Sequence, residues 1–221
     1  MRIVIAGGHG QIARRLTRLL VARGDTPIAI VRNPEHIPDV RSDGAGAVLI
    51  DLEKADPGAL PGALSGADAV VFAAGAGPGS GVARKDTVDR AAAEALADAA
   101  SHAGVHRYIL VSSMGAGQEP PEDASEAFAA YLRAKTASER YLAGHEVDWT
   151  ILRPGRLTDE PGTGRVRLDT EAPQGSVPRD DVAAVIVALL HEPLTSGLIL
   201  EVVSGDVPIE AAVAAVTELE D

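Results

Sequence analysis

The sequence predicts a doubly wound parallel α/β sheet, and three observations carry that expectation. Short apolar runs alternate with longer segments of helical period, the runs are near-continuously apolar as in strands buried on both faces, and a glycine loop separates the first run from the first helix.

Ile3–Ala6 reads as the first strand, and Ile12, Leu16, Leu19 and Leu20 repeat at helical spacing behind it. Further strands are expected at Pro27–Val31, Ala47–Ile50, Ala69–Ala73 and Tyr108–Ser112. Between the last two, Arg84–His102 lacks Gly and Pro and places Val88, Ala92, Ala95, Leu96 and Ala99 on one face of a helix, which Gly104 then stops. A helix over Ala124–Leu142 and a strand over Val147–Leu152 follow, the strand closed by Arg153-Pro154-Gly155. The remainder is less regular, with a strand at Arg165–Leu168, a helix at Arg179–His191, a strand at Leu198–Val203 and a closing helix at Pro208–Leu219. Residues 1–221 form one expected unit, with 156–175 and 204–221 contributing a small substrate-side lobe.

Composition limits the function classes. The 221 residues carry 20 Lys and Arg against 32 Asp and Glu, a net charge of −12 that opposes binding to nucleic acid or an anionic membrane. There is no cysteine, so thiol nucleophiles, thiolate metal sites and disulfides are excluded. Aromatic residues are 3% of the chain, which leaves Ala, Val, Leu and Ile to build the core. The N-terminal apolar run is too short for a signal peptide and no run reaches membrane-span length, so a cytoplasmic protein is expected. No metal site is expected: of the six histidines, His102 and His106 alone have i, i+4 spacing, and Gly104 interrupts them. Asp180-Asp181 reads as charge at a helix N-terminus, and His9 as a loop residue facing solvent.

The chemistry concentrates at strand ends, where ligands of such sheets lie. Gly7-Gly8-His9-Gly10-Gln11-Ile12-Ala13 fits G-x-x-G-x-x-A between strand and helix. Gly7 permits the turn, Gly10 lets a pyrophosphate approach, and Ala13 keeps the helix near the sheet. After the second strand, where an acid would bind ribose hydroxyls, stands Arg32; a guanidinium suits a 2′-phosphate and favours NADP over NAD, with Arg14 or Arg15 as helpers. Asp51 and Leu52 either touch the adenine or end the third strand. Ala74 and Gly75 are small enough for a nucleotide to lie against the backbone. Ser112 and Ser113 end the fifth strand, and Tyr131 and Lys135 fall at i and i+4 on the next helix. An ammonium beside a phenol stabilises the phenolate, so this set can exchange a proton with a substrate oxygen.

Together, VIAGGHGQIA, VRNPE, DL at 51–52, FAAGAG at 72–77, YILVSSMGA, YLRAK and WTILRPGRLT resemble the atypical or extended short-chain dehydrogenase/reductases, epimerase/dehydratase-like NAD(P)-binding proteins of Rossmann fold, over nearly the whole chain. The resemblance implies that Gly7, Gly10, Gln11 and Ile12 line the dinucleotide, Arg32 its adenosine end, Ala74 and Gly75 its middle, and Pro154, Gly155 and Arg156 its nicotinamide side. It implies Ser113 as the catalytic hydroxyl, with a one-residue shift to Ser112 open, Tyr131 as proton donor, and Lys135 on the nicotinamide ribose. It also implies a small-molecule substrate and a homo-oligomer. The chain departs from the pattern in lacking the asparagine common on strand four, and its C-terminal region is shorter than that of nucleotide-sugar epimerases. Three activities fit: an NADP-dependent oxidoreductase, an epimerase or dehydratase recycling its bound cofactor, and a noncatalytic NAD(P) sensor.

Overall fold

In the computed structural model, residues 1–54, 58–77 and 79–218 are described; residues 219–221, the end of the expected closing helix and lobe, lie outside the described residues. Strands β1 (Arg2–Ala6), β2 (Thr26–Val31), β3 (Gly46–Leu49), β4 (Ala69–Phe72), β5 (Arg107–Val111), β6 (Asp148–Pro154) and β10 (Ile199–Ser204) lie side by side in the order β3-β2-β1-β4-β5-β6-β10. All neighbours in that run are parallel. Order reverses between β1 and β4, which opens a crevice at their carboxyl ends.

Alternating residues of each strand enter different cores. Ile3 and Ile5 pack in one cluster and Val4 and Ala6 in another; Ile109 and Tyr108 divide in the same way. Helices α1 (Gln11–Arg23), α7 (Arg179–Leu190) and α8 (Ile209–Thr217) cover the first face, while α3 (Ala59–Leu64) and α5 (Ala92–His102) cover the second. Short α2 (Ile37–Ser42) packs Val40 against Ala29 and Val31 of β2.

Several boundaries differ from the sequence expectation. The helix expected over Arg84–His102 begins at Val82 as α4 (Val82–Arg84), widens into a π-helical segment at Lys85–Ala91, and continues as α5. The helix expected from Ala124 starts at Glu126 as α6 (Glu126–Ala143), because Ser125 accepts the Phe128 N–H and caps it. β6 runs through Pro154 rather than stopping at Leu152: Gly155 N–H bonds Val202 and Met114 N–H bonds Pro154, so proline serves as an acceptor there. β7 (Arg156–Thr158) pairs with β9 (Ser176–Pro178) as a separate two-stranded sheet. β8 (Arg165–Asp169) pairs antiparallel with β10, and β11 (Val207–Pro208) with β8, extending the main sheet. No helix among the described residues is long and apolar enough to cross a membrane.

Candidate functional site

The glycine loop is shaped by close packing. Gly7 has φ +75°, and a Cβ there would stand 2.6 Å from the Ala74 Cα; a Cβ on Gly8 would stand 2.5 Å from that of Ala29. The loop is therefore pressed against the turn that follows β4 and against β2, with Gly8 N–H bonded to the Ile30 carbonyl at 3.0 Å. Gly10 is the N-cap of α1 and offers no side-chain cap, and the first turn carries no acid, so the helix N-terminus at the crevice suits an anion. The residues present fit a dinucleotide pyrophosphate.

Two cavities meet at this loop. The smaller, about 310 Å³, is lined by Gly7, Gly10, Arg32, Asp51, Leu52, Ala74 and Gly75. The larger, about 710 Å³, is lined by Gln11, Ile12, Ala74, Gly75, Ser112, Ser113, Tyr131, Lys135, Pro154 and Gly155. They share Ala73, Ala74 and Gly75, so one continuous trough crosses the carboxyl end of the sheet. Of the residues that the resemblance places on the dinucleotide or the substrate, Arg156 stands outside it. Side chains alternate along β7, leaving Arg156 exposed while Leu157 turns inward, and Arg179 supplies the cation on that wall.

At the smaller end, Arg32 donates to Glu53 at 3.2 Å, and Glu53 also accepts from Arg84 at 2.8 Å and Thr87 at 2.7 Å. Arg84 and then Thr87 hold the Glu53 carboxyl below the usual carboxylate range. The Asp51 side chain accepts the Glu53 N–H at 3.1 Å, so Asp51 makes the turn while still lining the cavity. Arg14 is tied to Asp43 at 2.5 Å and Arg15 to Asp180 at 2.6 Å, and neither lines the trough. His9, expected to face solvent, keeps a partly exposed ring that stacks on His36 with centroids 3.6 Å apart and meets Asp39 at 2.8 Å, on the wall of the smaller cavity.

At the larger end, Lys135 is almost wholly buried. Its ammonium donates to the Val111 carbonyl at 3.0 Å, tying α6 to the end of β5, and lies 5.8 Å from the centre of the Tyr131 ring. It also stands 3.4 Å from Asp89, which is fully buried and whose other oxygen accepts the Ala76 N–H at 3.2 Å. Sequence reasoning passed over Asp89 because a carboxylate inside a helical stretch ordinarily faces water. The signal was its position three and four residues before Ala92 and Ala93, on the buried stripe. Lys85 was missed as well; its ammonium lies 5.1 Å from the Tyr131 ring centre. Both belong to the π-helical segment, a distortion that frequently marks functional positions.

The two serines separate cleanly. Ser112 donates to Glu139 at 2.5 Å, and Glu139 is held by Arg153 at 2.6 and 3.0 Å, a buried link between β5, α6 and β6. Ser113 is half-buried on the cavity wall, and its hydroxyl reaches only the Met114 carbonyl at 3.2 Å. Asp181, expected as helix-end charge, is buried and accepts the N–H groups of Thr163 and Gly164, fastening that loop to α7. Among the described residues, no group of three His, Asp or Glu is placed to hold a metal ion.

Comparison with known proteins agrees with this architecture. The chain is 36% identical over 213 residues, 96% of its own length and 98% of the relative's, to a Bacillus subtilis protein named "Uncharacterized sugar epimerase YhfK". A candidate NAD-dependent epimerase/dehydratase from Bacillus halodurans superposes with a TM-score of 0.90 at 36% identity, covering 98% of this chain and 100% of that one. The oxidoreductase ylbE from Lactococcus lactis follows with 0.88 at 28% identity, covering 100% and 99%. The family described as NAD(P)H-binding matches residues 7–193. That match begins on the first glycine of the loop and continues past Arg179 on the far wall of the trough, so the chain belongs to the NAD(P)H-binding family.

Proposed function

We propose that the protein is an NADP-dependent oxidoreductase acting on a carbonyl or alcohol of a small substrate, with Tyr131 as proton donor and acceptor. The supporting observation is that Ser113, Tyr131 and Lys135 line a single cavity continuous with the glycine loop and with Arg32. Gly7, Gly10, Gln11 and Ile12 would hold the pyrophosphate, Arg32 the 2′-phosphate, and Pro154 and Gly155 the nicotinamide side. Bound NADPH supplies a hydride.

The chain's own residues manage the proton. Ser113 donates a hydrogen bond that orients the substrate oxygen, and Tyr131 passes its phenolic proton to that oxygen. Lys135 supports the resulting phenolate, while Asp89 balances its charge when the phenol is restored. These groups favour turnover over a sensing role, since a sensor needs no proton donor at this place. An epimerase or dehydratase would use the same set and return the hydride, so net NADPH consumption separates the two.

Tyr131→Phe is the test. Turnover of a carbonyl panel should fall by about 10²-fold or more while NADPH affinity, read by calorimetry, stays within about twofold. Preserved turnover would overturn the role of Tyr131, and absence of NADPH binding by the native chain would overturn the reading itself.

A further inference from the structure

The cavity that holds Tyr131 carries an ammonium group with no assigned work. Of the charged side chains on its wall, Asp89 and Lys135 neutralise each other and Arg179 donates to Asp159 at 2.9 Å. Lys85 differs. Its contacts are the Gly77 carbonyl at 3.0 Å and the Tyr131 ring, and among the described residues no carboxylate lies within ion-pairing distance of it. The adjacent acid in sequence, Asp86, is committed to Arg90 at 2.5 Å.

Its position separates it from the cofactor's phosphates. Lys85 lines only the larger cavity and Arg84 only the smaller, so successive residues divide between the two ends of the trough. Beside Tyr131, Phe128 stacks with centroids 6.1 Å apart and is 45% exposed although it borders the cavity, leaving a large apolar ring open to a ligand. A positive group at this place, on a chain of net charge −12, favours an anionic group over a neutral one.

The geometry points to an anionic aromatic substrate, with a carboxylate held by Lys85 and a planar apolar part laid against Phe128. This rests on the oxidoreductase reading for the reaction but not for the binding. An ammonium half-shielded from water against a ring and a carbonyl makes a charge-assisted contact with a carboxylate that a neutral analogue cannot replace.

The test uses the NADP-loaded chain and two matched pairs. Calorimetry compares 4-(hydroxymethyl)benzoate with benzyl alcohol, and NADPH consumption compares 4-carboxybenzaldehyde with benzaldehyde. The carboxylate of each pair should be favoured by about tenfold or more, Lys85→Gln should erase the preference, Lys85→Arg should keep it, and Phe128→Ala should weaken both partners alike. Equal affinity within the pair, binding of neither, or a preference that survives Lys85→Gln would overturn the inference. A binding preference without turnover supports Lys85 as the anion contact and counts against the oxidoreductase reading; turnover without preference does the reverse.

Discussion

Lys135 and Asp89 face each other across 3.4 Å in the interior, one on α6 and the other on the π-helical segment, with 3% and 0% of their side chains exposed. The pair joins the helix that carries Tyr131 to the backbone of Ala76 just beyond β4. Removing one partner leaves the other charge buried alone. Asp89→Asn should cost about 3–5 kcal/mol in chemical denaturation, whereas Asp89→Asn with Lys135→Met should cost less than the two single changes added. Additive losses would show that the two do not interact.

Glu53 competes for Arg32. Because Arg84 keeps the Glu53 carboxyl below the usual range, it remains ionised at neutral pH and holds the guanidinium proposed to take a 2′-phosphate. Arg32→Ala should reduce the preference for NADPH over NADH by about tenfold, and Glu53→Gln should tighten NADPH while leaving NADH nearly unchanged. Titration of each variant with both cofactors decides it.

The glycine loop has no room for side chains. Gly8→Ala would drive a methyl into Ala29 of β2, costing about 1–3 kcal/mol, and Gly7→Ala adds a strained positive φ beside Ala74. Both variants should melt earlier and bind dinucleotide more weakly; a Gly7→Ala protein of native stability and affinity would contradict the close approach.

His145 gives a pH dependence. Partial burial works against its charged form, but Asp98 at 2.9 Å and the Tyr141 carbonyl prevail, so its pKa is raised above 6.5. The stabilisation is fully present below the unfolded value and is lost as pH rises through the higher folded one. The melting difference between the native chain and His145→Gln should therefore shrink from pH 5.5 to pH 8.5.

The alternation of apolar runs with helical segments, and a glycine loop between the first two, sufficed to predict a parallel sheet with a crevice at the strand ends, since both depend on local periodicity and backbone freedom. The spacing of Tyr131 and Lys135 was legible because a helix places i and i+4 on one face. Tertiary structure decided what depends on neighbours distant in sequence: that Ser112 is spent on Glu139 while Ser113 faces the cavity, that Arg156 turns outward, and that Asp89 rather than solvent balances Lys135. A side chain's charge and size are written in the chain, but its partner is chosen by packing, and a charge buried as deeply as Lys135 is costly unless a counter-charge such as Asp89 lies beside it.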